Sequence, residues 1–208
     1  MFRYERPQKG RSRQFQQSSA EAFGIRSAEI DAELIILSSR IWKELGVISN
    51  LNLQINNIGD EETRQSYAKS LQNYFKKYEK DLDEDSLRKL SENPLRILDS
   101  KSESIQGLLK KAPDISEFIS KESKDEFSEL MGILEDAGIK FSINTKLVRG
   151  LDYYNQTVYE WKSDLLGAQD TICGGGRYDN LVEELGGKPC PATGFSIGME
   201  RLILLMKE

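Results

Sequence analysis

Leu51-Asn52-Leu53-Gln54-Ile55-Asn56-Asn57-Ile58-Gly59 is the plainest strand signal in the chain. Leu51, Leu53 and Ile55 alternate with Asn52, Gln54 and Asn56. That period of two puts the branched side chains on one face of a strand and the amides on the other. The strand is therefore half-buried, and Asn57-Ile58-Gly59 supplies the residues that end it. On its N-terminal side the period becomes helical. Ser27 reads as an N-cap, and Glu29 and Asp31 suit the first turn. Ile30, Leu34, Leu37, Ile41 and Leu45 follow at helical spacing, and Gly46 is a stop. Further upstream, Gln14 to Phe23 mixes polar and apolar residues and reads as a strand.

On the C-terminal side the character changes for a long stretch. Tyr67, Leu71, Tyr74, Phe75, Tyr78 and Leu82 fit one helix, and Ile105, Leu108, Leu109 and Ala112 fit another. Phe127, Leu130, Met131, Leu134 and Ala137 fit a third, closed by Gly138, while Pro94 and Pro113 punctuate them. Residues 60–137 hold 13 basic and 19 acidic residues, so this helical region is acidic. Strand patterns resume at Lys140 to Asn144, Thr157 to Trp161, Thr171 to Gly175 and Ala192 to Ile197. A last helix starts from Gly198, with Met199, Leu202, Ile203 and Met206 on its buried face. Alternating strands joined by long helical excursions favour an α+β fold, an antiparallel sheet with segregated helices, over a doubly wound parallel one. The chain divides into core (1–59), helical insertion (60–137) and core again (138–208).

Composition narrows the chemistry. With 38% hydrophobic and 30% charged residues over 208 positions, the chain reads as globular, and no apolar run approaches a membrane span. The first residues have no apolar stretch of a secretory signal behind them. Cys173 and Cys190 form neither a disulfide framework nor a zinc pair, so a cytoplasmic protein with no membrane partner is expected. There are no histidines, which excludes Ser-His-Asp and Cys-His nucleophilic mechanisms and argues against ordinary zinc catalysis. The net charge is -5, yet Arg3, Arg6, Lys9, Arg11 and Arg13 face Glu5 alone in the first thirteen residues. A compact cationic patch on an acidic chain points to a small polyanion rather than a long one.

Four constellations could carry chemistry. In Phe2-Arg3-Tyr4-Glu5-Arg6-Pro7-Gln8-Lys9-Gly10-Arg11, arginines lie either side of a Pro7 to Gly10 turn, where guanidinium forks match phosphate oxygens. A solvated basic loop is the plainer account of that stretch alone. Arg149-Gly150-Leu151-Asp152-Tyr153-Tyr154 offers a cation, an acid and two phenols beside a glycine, though a turn with core-packed tyrosines would read the same. Cys173-Gly174-Gly175-Gly176-Arg177-Tyr178-Asp179 lets backbone approach a ligand or a neighbouring strand, but is neither a dinucleotide fingerprint nor a P-loop. In Gly194-Phe195-Ser196-Ile197-Gly198-Met199-Glu200-Arg201, a cation sits in the first turn of a helix. That placement makes sense with a bound anion, or with Glu200 or Glu183 as partner.

Their order and spacing together resemble the histidyl-tRNA synthetases of class II. The opening is similar to motif 2, and Gly194 to Arg201 to motif 3. Arg149 to Tyr154 is similar to the histidine signature, with Gly174 to Asp179 and Asn93-Pro94-Leu95-Arg96-Ile97-Leu98-Asp99 matching as well. The resemblance runs over essentially the whole chain and implies ATP with Mg²⁺, histidine and tRNA(His) as ligands. It makes Arg3 the grip on the α-phosphate, Glu5 the neighbour of adenine, and Arg11 and Arg201 the partners of the β- and γ-phosphates. Mg²⁺ then travels with ATP and needs no cage of protein ligands. Gln17, Glu21, Tyr153 and Tyr154 would bind histidine over a floor of Gly174, Gly175 and Gly176. Arg149 would bridge its carboxylate to the α-phosphate, so Arg149 and Arg3 are the catalytic candidates. Ser12, Gln16 and Ser18-Ser19-Ala20 depart from the family pattern on the amino-acid side. In the family, motif 1, which is the main element of the homodimer, lies ahead of the position of Met1, and an anticodon-binding domain lies beyond that of Glu208. The isolated fragment is accordingly expected to be weak or inactive. A catalytically inactive regulatory paralogue tied to histidine biosynthesis would share the same fold.

Overall fold

A computed structural model describes residues 1–4, 6–100 and 102–208. A short N-terminal hairpin precedes strand β1 (Gln17–Phe23), helix α1 (Ala28–Glu44) and strand β2 (Asn52–Asn57). Four helices follow: α2 (Glu61–Lys76), α3 (Glu84–Glu92), α4 (Glu103–Leu109) and α5 (Lys121–Asp136). The remaining elements are β3 (Phe141–Ile143), β4 (Asn155–Lys162), β5 (Thr171–Arg177), α6 (Leu181–Glu184), β6 (Ala192–Gly198) and α7 (Met199–Leu205).

The six strands form one sheet in the order β1-β6-β5-β4-β2-β3. Every neighbouring pair is antiparallel except β2 and β3, which run parallel at one edge. The antiparallel expectation therefore holds for the body of the sheet. A parallel partner beside β2 requires a long crossover, and residues 58–140 provide it.

Two apolar clusters occupy the two faces, and strand periodicity assigns residues to them. On one face Leu53, Ile55, Tyr159, Trp161, Phe195 and Ile197 meet α1, α5 and α7. On the other, Val158, Tyr154, Tyr178 and Ala192 meet Tyr67, Leu71, Phe75, Ile97, Ile105 and Leu109 from residues 58–119. The acidic helical stretch thus divides: α2 to α4 cover one face, while α5 lies along α1 on the other. Fully burying a leucine or phenylalanine here is worth about 1.5–3 kcal/mol.

Local chemistry accounts for the ends. Asp60 caps α2 by accepting from Thr63 N at 2.8 Å, but Ser27, although at the N-cap of α1, makes no capping side-chain bond. The half-buried reading of β2 is corrected at its end, where Asn56 and Asn57 are both buried. Each donates to a backbone carbonyl, Asn56 Nδ2 to Leu147 at 2.9 Å and Asn57 Nδ2 to Ser123 at 2.8 Å, as a buried amide must. The face of α7 is corrected too: Leu202 and Leu205 are buried, and Ile203 and Met206 are about half exposed. A helix of two turns buries only a narrow stripe, and the register of β6 into α7 selects it. Helix α3 was not evident in the sequence pattern, because Leu87 and Leu90 are its only large apolar residues. Among the described residues, no helix is long and apolar enough to cross a membrane.

Candidate active site

The N-terminal hairpin is held by bridges between Phe2 and Gln14 and between Gln8 and Arg11. Its turn passes through Gly10 at φ +74, a left-handed conformation that glycine adopts without steric cost. Arg3 donates through Nε to the Ser12 carbonyl at 3.0 Å, and its guanidinium lies 4.3 Å from the Phe15 ring centre. Glu5 lies outside the described residues.

Arg201 reaches back from α7 to this hairpin. It donates to the carbonyls of Gly10 at 2.8 Å and Thr171 at 2.6 Å, and to Gln169 Oε1 at 2.7 Å. It therefore makes neither of the glutamate pairs considered from sequence, and Glu200 instead accepts from Gln16 N at 2.8 Å. The Arg201 pKa is lowered, first by burial and then by the cations of Arg3 and Arg11. A cleft of about 570 Å³ is lined by Arg3, Arg11 and Arg201 together with Lys146 and Lys162, facing Glu160 and Asp170. Several cations gathered on one cleft form a site for multiple negative charges.

A smaller hollow of about 130 Å³ adjoins it, sharing Arg3 and Arg201 and adding Gln17, Arg149 and Gly174. Arg149 stands on the irregular segment between β3 and β4, stacked 5.5 Å above the Tyr154 ring and paired with Glu160 on β4. Burial opposes its charge, but Glu160 and Tyr154 outweigh that and hold its pKa up. Its Nε is buried and without a hydrogen-bond partner. Glu160 also accepts from Thr171 Oγ1 at 3.0 Å and pairs with Lys162 at 3.3 Å. Gly174, opposite Glu160 in the β4–β5 register, is where the guanidinium fits: a Cβ there would meet Arg149 Cζ at 2.7 Å. At Gly175 an added Cβ would meet the Gly194 carbonyl, and at Gly176 the Thr157 carbonyl and Tyr154 Cδ1.

Tyr153 and Tyr154 pack with Tyr178 in a three-ring cluster, with centroids 4.6, 5.6 and 6.1 Å apart. Burial, first, and then neighbouring phenols push the Tyr153 hydroxyl up; burial and Glu21 do the same for Tyr178. Tyr178 donates to the Glu21 carboxylate on β1. Glu21 is exposed, yet partial burial of the carboxyl raises its pKa against that hydrogen bond. The structure thus draws two groups together: Arg3, Arg11, Arg149 and Arg201 around the clefts, and Glu21, Tyr153 and Tyr154 around an aromatic wall. Gln17, at the start of β1, borders the smaller hollow.

Three contributors were missed from sequence. Glu160 looks like an ordinary polar position of an alternating strand, and only the β4–β5 register sets it beside Arg149 and Gly174. Tyr178 lay in a quoted motif, but its partner Glu21 is 157 residues away. Asp31 lies in the first turn of α1 as its position implies, but it is also buried and accepts from Arg177 at 3.1 and 2.9 Å, which the sequence does not show.

Known proteins resemble this chain over its whole length. The chain is 56% identical over 207 residues to the histidine–tRNA ligase of Marinomonas sp. (strain MWYL1) and 54% identical over 208 residues to that of Hydrogenovibrio crunogenus. All of this chain is covered in both cases, and it spans about half the length (49%) of these curated relatives. The crystal structure of the apo histidyl-tRNA synthetase of S. aureus superposes with a TM-score of 0.76 at 34% identity, over 100% of this chain and 49% of that one. The family model described as histidyl-tRNA synthetase matches residues 1–202. By sequence and by fold, this chain belongs to the histidyl-tRNA synthetase family.

Proposed function

We propose that the chain forms most of the active site of a histidine–tRNA ligase. In this reading histidine and ATP, accompanied by Mg²⁺, give histidyl-adenylate and pyrophosphate, and the histidyl group then passes to the 3′ end of tRNA(His). The observation that carries it is Arg149: a half-buried arginine whose Nε is buried and unpartnered, set beside Gly174 in a hollow shared with Arg3 and Arg201. A buried donor left without an acceptor is costly, and a bound carboxylate or phosphate oxygen would supply the acceptor.

Arg3 and Arg149 hold the α-phosphate and the substrate carboxylate in line, while Arg11 and Arg201 bind the outer phosphates and Glu5 approaches adenine. Gln17, Glu21, Tyr153 and Tyr154 bind histidine beside Gly174, Gly175 and Gly176. The attacking carboxylate is already ionised, so no general base is required, in keeping with a chain that has no histidine. Catalysis is then positioning plus positive charge at the phosphoryl centre. One well-placed guanidinium in such transfers is worth about 10³ or more in rate. An imidazole held between a phenol and a carboxylate is discriminated because any ligand lacking its nitrogens leaves those groups unpaired. We further propose that the full-length protein is a cytoplasmic homodimer, and that residues 60–137 act as its insertion domain between the core segments 1–59 and 138–208.

Histidine-dependent ATP–pyrophosphate exchange in the full-length protein tests the reading. Arg149→Ala and Arg3→Ala should each abolish exchange, and near-normal exchange by either variant refutes the assignment. Calorimetry with a non-hydrolysable histidyl-adenylate analogue separates the alternatives. Binding without turnover by the unaltered full-length protein would indicate the regulatory paralogue instead.

A further inference from the structure

The segment bearing Arg149 and Tyr154 belongs to no helix or strand from Asn144 to Tyr154, so something outside regular backbone pairing must fix it. Three side chains from the α2–α4 layer reach it. Arg64 of α2 donates to the backbone carbonyls of Asp152, at 3.1 Å, and of Tyr154. Asn93 donates to Asp152 Oδ1 at 2.7 Å while its own oxygen accepts from Leu95 N at 3.1 Å. Arg96 pairs with Asp152 Oδ2 at 3.3 Å. Asp152 thereby brings two donors from the turn after α3 onto the loop, and Arg64 grips the backbone on either side of Tyr153.

We propose that Arg64, Asn93 and Arg96 are positioning residues, a clamp by which the α2–α4 layer sets the loop that carries Arg149 and Tyr154. The inference builds on the function proposed above. The Asn93, Arg96 and Asp152 contacts are solvent-exposed, and exposed pairs add little to global stability. Their effect is local: a loop displaced by about 1 Å moves the guanidinium off its target, which can cost on the order of 10²-fold in rate. The clamp also makes the seating of the α2–α4 layer a condition for an assembled site, so whatever moves that layer is felt at Arg149.

The test uses the full-length protein and an isosteric exchange of roles. Asn93→Asp sets two carboxylates against each other while keeping the acceptor for Leu95 N; adding Asp152→Asn restores the hydrogen bond in the opposite sense. Arg64→Met keeps the apolar stem and removes both donors. Asn93→Asp and Arg64→Met should speed amide hydrogen exchange in residues 146–154 by about tenfold or more. They should lower kcat for pyrophosphate exchange by a similar factor with the KM for ATP nearly unchanged; Asn93→Asp should leave the unfolding midpoint nearly unchanged, and the double variant should recover kcat and hydrogen-exchange protection. Unaltered hydrogen exchange in both single variants, or no recovery in the double variant, overturns the clamp. Faster hydrogen exchange with unchanged kcat overturns its catalytic role. Hydrogen exchange reads the clamp whether or not the unaltered protein makes adenylate, so failure of the function proposal is seen separately.

Discussion

Replacing Arg177 with methionine should be among the most destabilising single changes in the chain that leave the arginine-lined clefts untouched. Arg177 is 3% exposed, and its guanidinium places every N–H: Nε and Nη2 on Asp31, Nη1 on Asp179 at 3.1 Å and the Ile25 carbonyl at 3.3 Å, and Nη2 on the Ser27 carbonyl at 2.9 Å. Methionine fills similar space and donates nothing, so the Asp31 carboxylate, also 3% exposed, loses its counter-charge. Breaking a buried pair in this way costs about 3–5 kcal/mol. At about 2–4 °C per kcal/mol for a domain of this size, the thermal midpoint should fall by roughly 6–20 °C. Urea unfolding followed by tryptophan fluorescence reads the change, because Trp42 and Trp161 are both buried, with ring centres 6.4 Å apart. The deficit should also depend on pH. Burial raises the Asp31 pKa even beside Arg177, and without the arginine it rises further. A carboxyl whose folded pKa lies above its unfolded value stabilises at low pH and loses that contribution as pH rises through the folded pKa. The variant should therefore lose least on mild acidification, and Asp31→Leu combined with Arg177→Met should be more stable than Arg177→Met alone. A loss below about 1 kcal/mol in Arg177→Met, or a double variant no better than the single one, refutes the reasoning.

Gly174→Ala should lower pyrophosphate exchange by about 10²-fold, because the new methyl displaces the Arg149 guanidinium from its bed; its unfolding free energy should drop by only about 1–3 kcal/mol, and unchanged exchange kinetics would show that Arg149 does not need that space. Tyr178→Phe should raise the pKa of Glu21, since the phenol hydrogen bond now lowers it. Carboxyl NMR titration reads that shift, and a fall on substitution contradicts the assigned bond. Because the Glu21 pKa is already raised above 4.5, its contribution to stability is present at low pH and fades as pH rises through the folded value. Glu21→Gln should flatten that part of the stability profile.

Much of the sheet could be read from the sequence because strand patterning is local. Leu53 and Ile55 on β2, and Tyr159 and Trp161 on β4, carry the period of two that puts them in one cluster. The boundaries shifted by one or two residues, since β4 and β5 extend past their apolar cores to reach Asn155 and Arg177. The parallel β2–β3 pair was hidden, because a three-residue edge strand has the same pattern in either direction. The arginines of the site were visible as residue types in order, but not their partners. Arg201 could have met Glu200 on its own helix. It is held by the carbonyls of Gly10 and Thr171, which lie 191 and 30 residues away in sequence.

Residue types, their order and the periods that build strands and helices are legible along the chain, and with them the resemblance to a family. Those properties depend on near neighbours along the chain. That Glu160 and Gly174 flank Arg149, that Tyr178 meets Glu21, and that Asp31 holds Arg177 is visible only in the folded chain. Each of these pairings depends on strand order and register, or on how a helix packs against the sheet. Both are set by the competition of all buried surfaces at once, and no local pattern records its outcome.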